Sequence, residues 1–352
     1  MEAILTDLKL GHFRCFERFE ARFCSGLNLI VGPNAAGKTS LLEAACVLLR
    51  LQSPRTTRLG DLIQHGARGL LVDGHARHRH LQFYYSPARK KLALDSVEQK
   101  SASDYLRTGR VVWFSNTDIE LIRGASDVRR RFLDFVASQS VPGYRPALLD
   151  YARALRARNL LLKQPVPRWK EIAAFDAPLV QAGDLLQQAR QLLCTSLRPL
   201  LQLAHTGISG GAERIDAVYS RGCGENFATA LEASRGDDAR LRQTNVGPHR
   251  DDWELILQGH PASLGSEGQQ RTFALALRLA AARYLEAHFG EAPLLLLDDI
   301  FGELDLKRRA ALMAELPRQA QQIATTTQLE WLPNHAAANV LRLGESNAPK
   351  TD

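Results

Sequence analysis

With 352 residues, 45% of them hydrophobic and 24% charged, the chain has the composition of a soluble globular protein, with room for two domains or one domain carrying a large insertion. A net charge of +7 suits a polyanionic partner, nucleic acid before anionic membrane. No apolar run is long enough to span a bilayer, Met1 to Gly11 lack a signal-peptide layout, and five scattered cysteines without a Cys-x-x-Cys pair argue for a reducing cytosol, against a disulfide framework or zinc site.

Ile4–Phe13 alternates as an edge strand and turns into Phe19–Phe23. Leu27–Val31 reads as a short buried strand and Thr39–Leu51 as a helix. Between them stand Gly32, Pro33, Asn34, Ala35, Ala36, Gly37, Lys38 and Thr39, the Gly-x-x-x-x-Gly-Lys-Thr pattern of a phosphate-binding loop. Its two glycines let the backbone turn so that N–H groups face phosphate oxygens. Lys38 brings a mobile positive charge, Thr39 offers a hydroxyl to Mg2+, and the helix start favours anions. Gly69–Leu94 predicts a small antiparallel region, where His75, His78 and His80 suit a solvated hairpin better than a metal site.

Val111–Phe114 is the next predicted buried strand. Helical periodicity then runs over Asp118–Gln139, Tyr144–Leu162 and Trp169–Leu203, the last broken near Pro178. This predicts a helical lobe over 117–207, inserted in a lobe made of 1–116 and 208–352. Arg123, Arg129, Arg130 and Arg131, followed by Arg153, Arg156 and Arg158, form either a phosphate-tracking patch or a helix face paired with nearby acids. Ile215–Tyr219 and Trp253–Leu257 read as strands flanking the polar loop Thr244–Asp252.

The second half of the site lies downstream. Leu294–Leu297 is a buried strand that delivers Asp298 to the cation beside Thr39, as a Walker B acid does. Asp299 points to the other side of the strand end, placed to orient or activate water. About 260 residues separate Lys38 from Asp298, an insertion that points to the ABC/SMC class of ATPases. Ser266-Glu267-Gly268-Gln269-Gln270 supports that class: Ser266 caps the helix Arg271–His288 and creates a second anion site at its start, one that serves the nucleotide of a partner subunit. Glu267 opposes a phosphate held close to it. Gly302-Glu303-Leu304-Asp305 occupies the D-loop position, Ile323–Thr327 is the next core strand, and Gly344–Asp352 is a polar tail expected to fray.

Taken together, Phe13-Arg14, the phosphate loop, Arg129–Asp134, Gly247–Asp252, Gly268–Thr272 and Leu297-Asp298-Asp299 resemble the RecF family, bacterial SMC-like ATPases of recombinational DNA repair. The resemblance covers about residues 10 to 327. It implies an α/β, ABC-type P-loop ATPase head, with a mixed sheet, an antiparallel β-region and an inserted all-helical lobe. It further implies a cytoplasmic protein that binds ATP and Mg2+, dimerises around ATP and hydrolyses it weakly with DNA stimulation. Binding to single-stranded or gapped DNA, cooperation with RecR and RecO in loading RecA, and roles in replication maintenance and SOS induction follow from the same resemblance. Lys38 and Asp299 would be catalytic, Gly32 to Thr39 nucleotide-binding, Thr39 and Asp298 metal-binding, and Ser266, Gly268 and Gln269 would act in trans. The main alternative is the ATPase subunit of an ABC transporter; a long-armed SMC tether would need far longer heptad arms.

Overall fold

The computed structural model describes residues 2–211, 213–302, 304–328 and 338–344. Strands β1 (Leu5–Phe13), β2 (Phe16–Arg22) and β3 (Leu27–Val31) lead into helix α1 (Lys38–Arg50). Next come β4 (Leu70–Ala76), β5 (Arg79–Tyr85), β6 (Lys90–Leu94), β7 (Val97–Glu98), α2 (Ser103–Leu106) and β8 (Val111–Ser115). A largely helical stretch follows: α3 (Glu120–Arg123), α4 (Ser126–Ser140), α5 (Tyr144–Leu162), α6 (Trp169–Ala173) and the 34-residue α7 (Asp176–Ser209). Strand β9 (Ile215–Ser220), helices α8 (Phe227–Ala233) and α9 (Arg235–Leu241), and strands β10 (Asp252–Leu257) and β11 (His260–Pro261) precede α10 (Glu267–Phe289). The chain continues through β12 (Leu294–Asp298), α11 (Leu306–Glu315), β13 (Gln322–Thr326) and β14 (Asn339–Arg342).

Packing divides the chain into two units, residues 1–117 with 285–352 and residues 118–284, and the second division falls inside α10. In the first unit the β content separates into two sheets. One is antiparallel, in the order β2-β1-β4-β5-β6-β7; the other is wholly parallel, in the order β14-β3-β13-β12-β8. Helix α1 packs on strands of both. That explains its all-round burial from Leu41 to Leu49, where an amphipathic helix would bury a single stripe. Strand β1 lies between β2 and β4 and is not the edge strand its alternation implied, because a period of two reveals the faces of a strand and not its neighbours. The histidine-rich hairpin pairs its imidazoles with carboxylates, His75 with Asp7 and His80 with Asp73. Among the described residues no group of three metal-type ligands forms.

The second unit corrects two expectations. Residues 208–284 pack with the helices, not with the phosphate-loop lobe, because β9 lies on α7 and β10 on α4. Residues 117–207 are helical as expected, and the unit they form with 208–284 also holds the three-stranded antiparallel sheet β11-β10-β9. The predicted helix Asp118–Gln139 is split at Gly124, whose extended backbone passes so close to the Glu120 carbonyl that an added Cβ would stand 2.4 Å from it. The stretch Trp169–Leu203 is broken near Pro178 as expected, between α6 and α7, and the proline itself belongs to α7. It sits in the first turn, where a missing N–H costs no helical bond.

Three of the arginines expected to track phosphates, Arg129, Arg130 and Arg158, are bonded inward within this unit, while Arg123, Arg131, Arg153 and Arg156 are exposed. Arg129 grips both oxygens of Asp252 at 2.7 and 2.9 Å, and Arg130 donates to Ser126 Oγ and the Asp251 carbonyl. Arg123 donates to the Gln270 side chain, Arg131 forms an exposed pair with Asp127, and Arg158 is fully buried against Asp176 and Asp238. The organising acid is Asp251. Fully buried, it accepts Gln187 Nε2 and the Gly222 N–H on one oxygen, and Arg190 and the Tyr219 hydroxyl on the other. Arg190 continues to Asp134 and the Pro248 carbonyl, and His249 bonds Tyr151 and the Thr244 carbonyl. The loop Gly247–Asp252 thus ties α4, α5, α7 and β9 together. Breaking a buried charge network from one side leaves its partners uncompensated. Asp251→Ala is accordingly expected to destabilise this unit by about 3–5 kcal/mol, read as a lowered urea midpoint; an unchanged midpoint would show that the network does not hold the helices.

Candidate phosphate-binding site and signature helix

A parallel sheet brings the C-terminal ends of its strands to one edge, which is where open α/β sheets bind ligands. Here that edge carries the loop after β3, Asp298 at the end of β12, Thr325 and Thr326 at the end of β13, and Ser115 and Asn116 after β8. Strand order alone therefore gathers four segments that are distant in sequence.

The loop 32–39 is open to solvent at Pro33, Asn34 and Ala35. Its two glycines serve different needs. Gly37 has φ +93°, and a Cβ there would meet Phe16 at 2.6 Å and Cys15 Sγ at 2.7 Å. Gly32 is required for closeness instead, since its Cβ would stand 2.5 Å from the Leu343 carbonyl. Ala35 takes a left-handed φ of +65°, and the Ala36 N–H closes a turn on the Pro33 carbonyl. Lys38 Nζ donates to the carbonyls of Gly32 and Pro33 at 2.7 and 2.9 Å, which folds the ammonium over the loop. Burial pushes Lys38 down from its ordinary value, while Asp299 and Asp298 oppose that shift. Helix α1 starts without a side-chain cap, which leaves its first N–H groups available to an anion. Arg14 braces the helix from outside, with two bonds of 2.9 and 2.8 Å to the fully buried Glu43.

Opposite the loop, Thr39 Oγ1 donates to Asp298 Oδ1 at 2.8 Å. The same oxygen accepts Thr325 Oγ1 at 3.0 Å, and Thr325 in turn accepts the Asp299 N–H at 2.9 Å. Asn116 Nδ2 closes the arrangement on the Asp299 carbonyl at 2.9 Å. Asp299 has φ +52°, a conformation unusual outside glycine and held here at both ends of its peptide unit. Thr325 and Asn116 escaped the sequence reading. Their only signal was a polar residue at a strand end, and the neighbours of that end depend on strand order. In the D-loop segment Glu303 lies outside the described residues, and so does most of the tail after Gly344. Asp305 caps α11 by accepting the Arg308 N–H at 2.8 Å.

In the second unit, Ser266 and Gln269 form a reciprocal capping pair at the start of α10: the Ser266 N–H donates to Gln269 Oε1 at 2.7 Å, and the Gln269 N–H points at Ser266 Oγ at 3.4 Å. Gln270 is buried and donates to the Ser263 and Gly265 carbonyls, holding the turn before the helix. Gly268 lies in the first turn, where its carbonyl accepts Thr272 Oγ1. Glu267 does not stand as a bare acid at the helix start. It pairs with Arg271 one turn on, and that bond holds its carboxyl below the usual range.

Burial holds Asp298 above the usual carboxylate range, against the bonds from Thr39 and Thr325. A carboxyl raised in the folded state contributes stability at low pH and loses it as pH rises through its folded value. Asp298→Asn is therefore expected to raise the thermal stability of the protein at pH 7 by about 1 kcal/mol, with the gain shrinking toward pH 4. A lower midpoint at pH 7 would contradict the burial of an uncompensated acid.

The family model described as RecF/RecN/SMC N terminal domain matches residues 4–343. The chain is 36% identical over 344 residues to the DNA replication and repair protein RecF of Symbiobacterium thermophilum, covering 93% of this chain and 92% of that one. It is 34% identical over 347 residues to the RecF of Geobacillus thermodenitrificans, covering 93% of each. Among solved structures, the recombination mediator protein RecF-ATP in the RecFOR pathway superimposes with a TM-score of 0.83 at 29% identity, over 93% of this chain and 92% of that one. An Smc head bound to the C-winged helix domain of ScpA shares the fold, with a TM-score of 0.53 at 17% identity. This chain's phosphate loop, the acids at the parallel-sheet edge and the signature helix are those of an ABC-type ATPase head, and the chain belongs to the RecF family of DNA replication and repair proteins.

Proposed function

We propose that the chain is an ATP-gated DNA-binding protein of recombinational repair and replication maintenance, in which two copies close over ATP and Mg2+. The observation that carries this reading is the meeting of Thr39, Asp298 and Asp299 at one sheet edge beside Lys38. The donor set fits the group. Hydroxyl and carboxylate oxygens are the hard ligands that Mg2+ takes, and Thr39 Oγ1 and Asp298 Oδ1 are already 2.8 Å apart. When bound, the cation neutralises charge on the β- and γ-phosphates. Lys38 binds and orients the phosphates, the N–H groups at the start of α1 cradle them, and Asp299 positions the attacking water and receives its proton. Thr325 and Asn116 keep Asp299 in the left-handed conformation that this task requires.

Closure in trans is supported by what surrounds the two motifs expected at a dimer interface. Leu264 beside Ser266 is 76% exposed, and Leu306 beside Asp305 is 79% exposed. Large apolar side chains left in water next to such motifs suit an interface that forms only with nucleotide. Ser266, Gly268 and Gln269 would then serve the ATP of the partner copy. Hydrolysis resets the closed state, so turnover is slow and rises when DNA stabilises closure. Single-stranded or gapped DNA is the ligand. Its phosphates are met by exposed cations such as Arg131 and Arg156, since Arg129 and Arg130 are committed to Asp252 and Asp251. By extension from the RecFOR-pathway relative, RecR and RecO are partners and RecA loading and SOS induction the outcome.

Sizing by sedimentation with no nucleotide, ATP or ADP should show dimers with ATP only, and Lys38→Ala should remain monomeric; ATP-independent sizes would refute the gated clamp. Asp299→Asn should dimerise with ATP yet hydrolyse about 100-fold more slowly, and normal hydrolysis by this variant would remove Asp299 from the chemistry. Affinity for gapped DNA should fall by at least tenfold between 50 and 200 mM salt, measured by anisotropy; a flat salt response would rule out phosphate contacts as the grip.

A further inference from the structure

The start of α10 is the part of the second unit that faces outward: Leu264, Ser266 and Glu267 are all exposed. Gln270 holds the turn before it, and a second side-chain amide, that of Gln269, holds Ser266. Gln269 Oε1 accepts the Ser266 N–H at 2.7 Å, and the opposite end of that amide, Nε2, donates to Glu213 Oε1 at 3.0 Å. A carboxylate only accepts, so Glu213 takes the NH2 end of the amide and turns its carbonyl end toward Ser266. The Ser266 N–H already selects the carbonyl end of the amide, and Glu213 reinforces that choice and holds the amide in place from its other end. Glu213 lies in the loop between α7 and β9. Its other oxygen, Oε2, stands 3.2 Å from Nε2 of His205, a fully buried residue of α7. The His205 ring meets Phe273 of α10 edge-on, with centroids 5.9 Å apart. Burial pushes His205 below its ordinary value, and its Nε2 makes no hydrogen bond, so the ring packs beside the carboxylate without a directed bond to it.

We propose that Glu213 is a positioning residue for the signature: it fixes the Gln269 amide, and through it Ser266, in the orientation that receives the partner copy's ATP. The proposal deepens the reading of Ser266, Gly268 and Gln269 as a site acting in trans, and rests on it. The two acidic groups nearest the expected phosphate then have separate duties. Glu213 holds the amide from the side, and Glu267 is neutralised by Arg271. The clasp affects the half of the composite site that each copy lends to its partner, and not the loop 32–39 that binds its own nucleotide.

The test compares the parent chain with Glu213→Ala and Glu213→Gln. Binding of a fluorescent ATP analogue is measured at protein concentrations where the parent is monomeric, and ATP-driven association is followed by sedimentation. Glu213→Ala is expected to keep monomer ATP affinity within twofold and to need about tenfold more protein for half-maximal association, the loss expected for one hydrogen bond to a charged group. Glu213→Gln, whose carbonyl can still accept from Gln269, is expected to recover most of the association. Amide hydrogen exchange at Ser266 should quicken in Glu213→Ala and not in Glu213→Gln. Association of Glu213→Ala equal to the parent's would overturn the proposal, as would an equal loss in both variants. A collapsed melting temperature, or a matching loss of monomer ATP binding, would make Glu213 a general structural residue and overturn it too. If the parent itself fails to associate with ATP, the failure belongs to the composite-site reading, a result separable from parent association that Glu213→Ala leaves untouched.

Discussion

A single contact between residues 259 positions apart, Thr39 Oγ1 to Asp298 Oδ1, states the constraint on which the first unit is built. It exists because β3, β13 and β12 run parallel and adjacent, so that the loop after one and the acid ending another emerge at the same edge. Parallel strands need long crossovers, and this chain takes an extreme one: strands β4 to β7 of the antiparallel sheet and the whole second unit lie between the two halves of the site in sequence. The insertion is tolerable because loop-closure entropy grows only slowly with length, whereas the strand pairing is dense and buried.

Part of the chain's strain and buried charge lies at that contact. Ala35 and Asp299 both hold left-handed backbone, and Asp298 carries a carboxyl raised by burial. Each lowers stability and each lies where a phosphate or its cation would be met, the distribution expected of a site held ready by its surroundings. Thr325 shows how little is needed to hold it. One hydroxyl accepts from the Asp299 N–H and donates to Asp298, and so sets both acids at once.

The second unit uses charge differently. Asp251, Arg190, Arg158 and Arg129 are bonded inward, and their value lies in deciding which helices meet. Hydrophobic burial alone lets helices slide and rotate against each other; a buried carboxylate with four directed donors does not. A basic composition is therefore a poor guide to a nucleic-acid surface here, because several of the arginines that contribute to it never face solvent.

Much of this was legible before any coordinates. The phosphate loop, the helix after it, the aliphatic strand ending in Asp298 and Asp299 and the Ser-capped signature helix follow from local pattern, because residue type and short spacing decide turns, caps and buried strands. Tyr144–Leu162 is a helix with the bounds its periodicity predicted. Tertiary structure alone decided the rest. Strand order moved β1 from an edge to an interior place, and packing on α7 and α4 carried 208–284 into the second unit. Side-chain pairing turned Arg129 and Arg130 from a surface patch into core, and brought Asn116, Thr325 and Glu213 to positions that no sequence spacing foretells. The physical reason is common to all of these. A local pattern fixes which face of an element is apolar, while which element meets that face depends on the whole chain minimising buried, unpaired charge and exposed apolar area together.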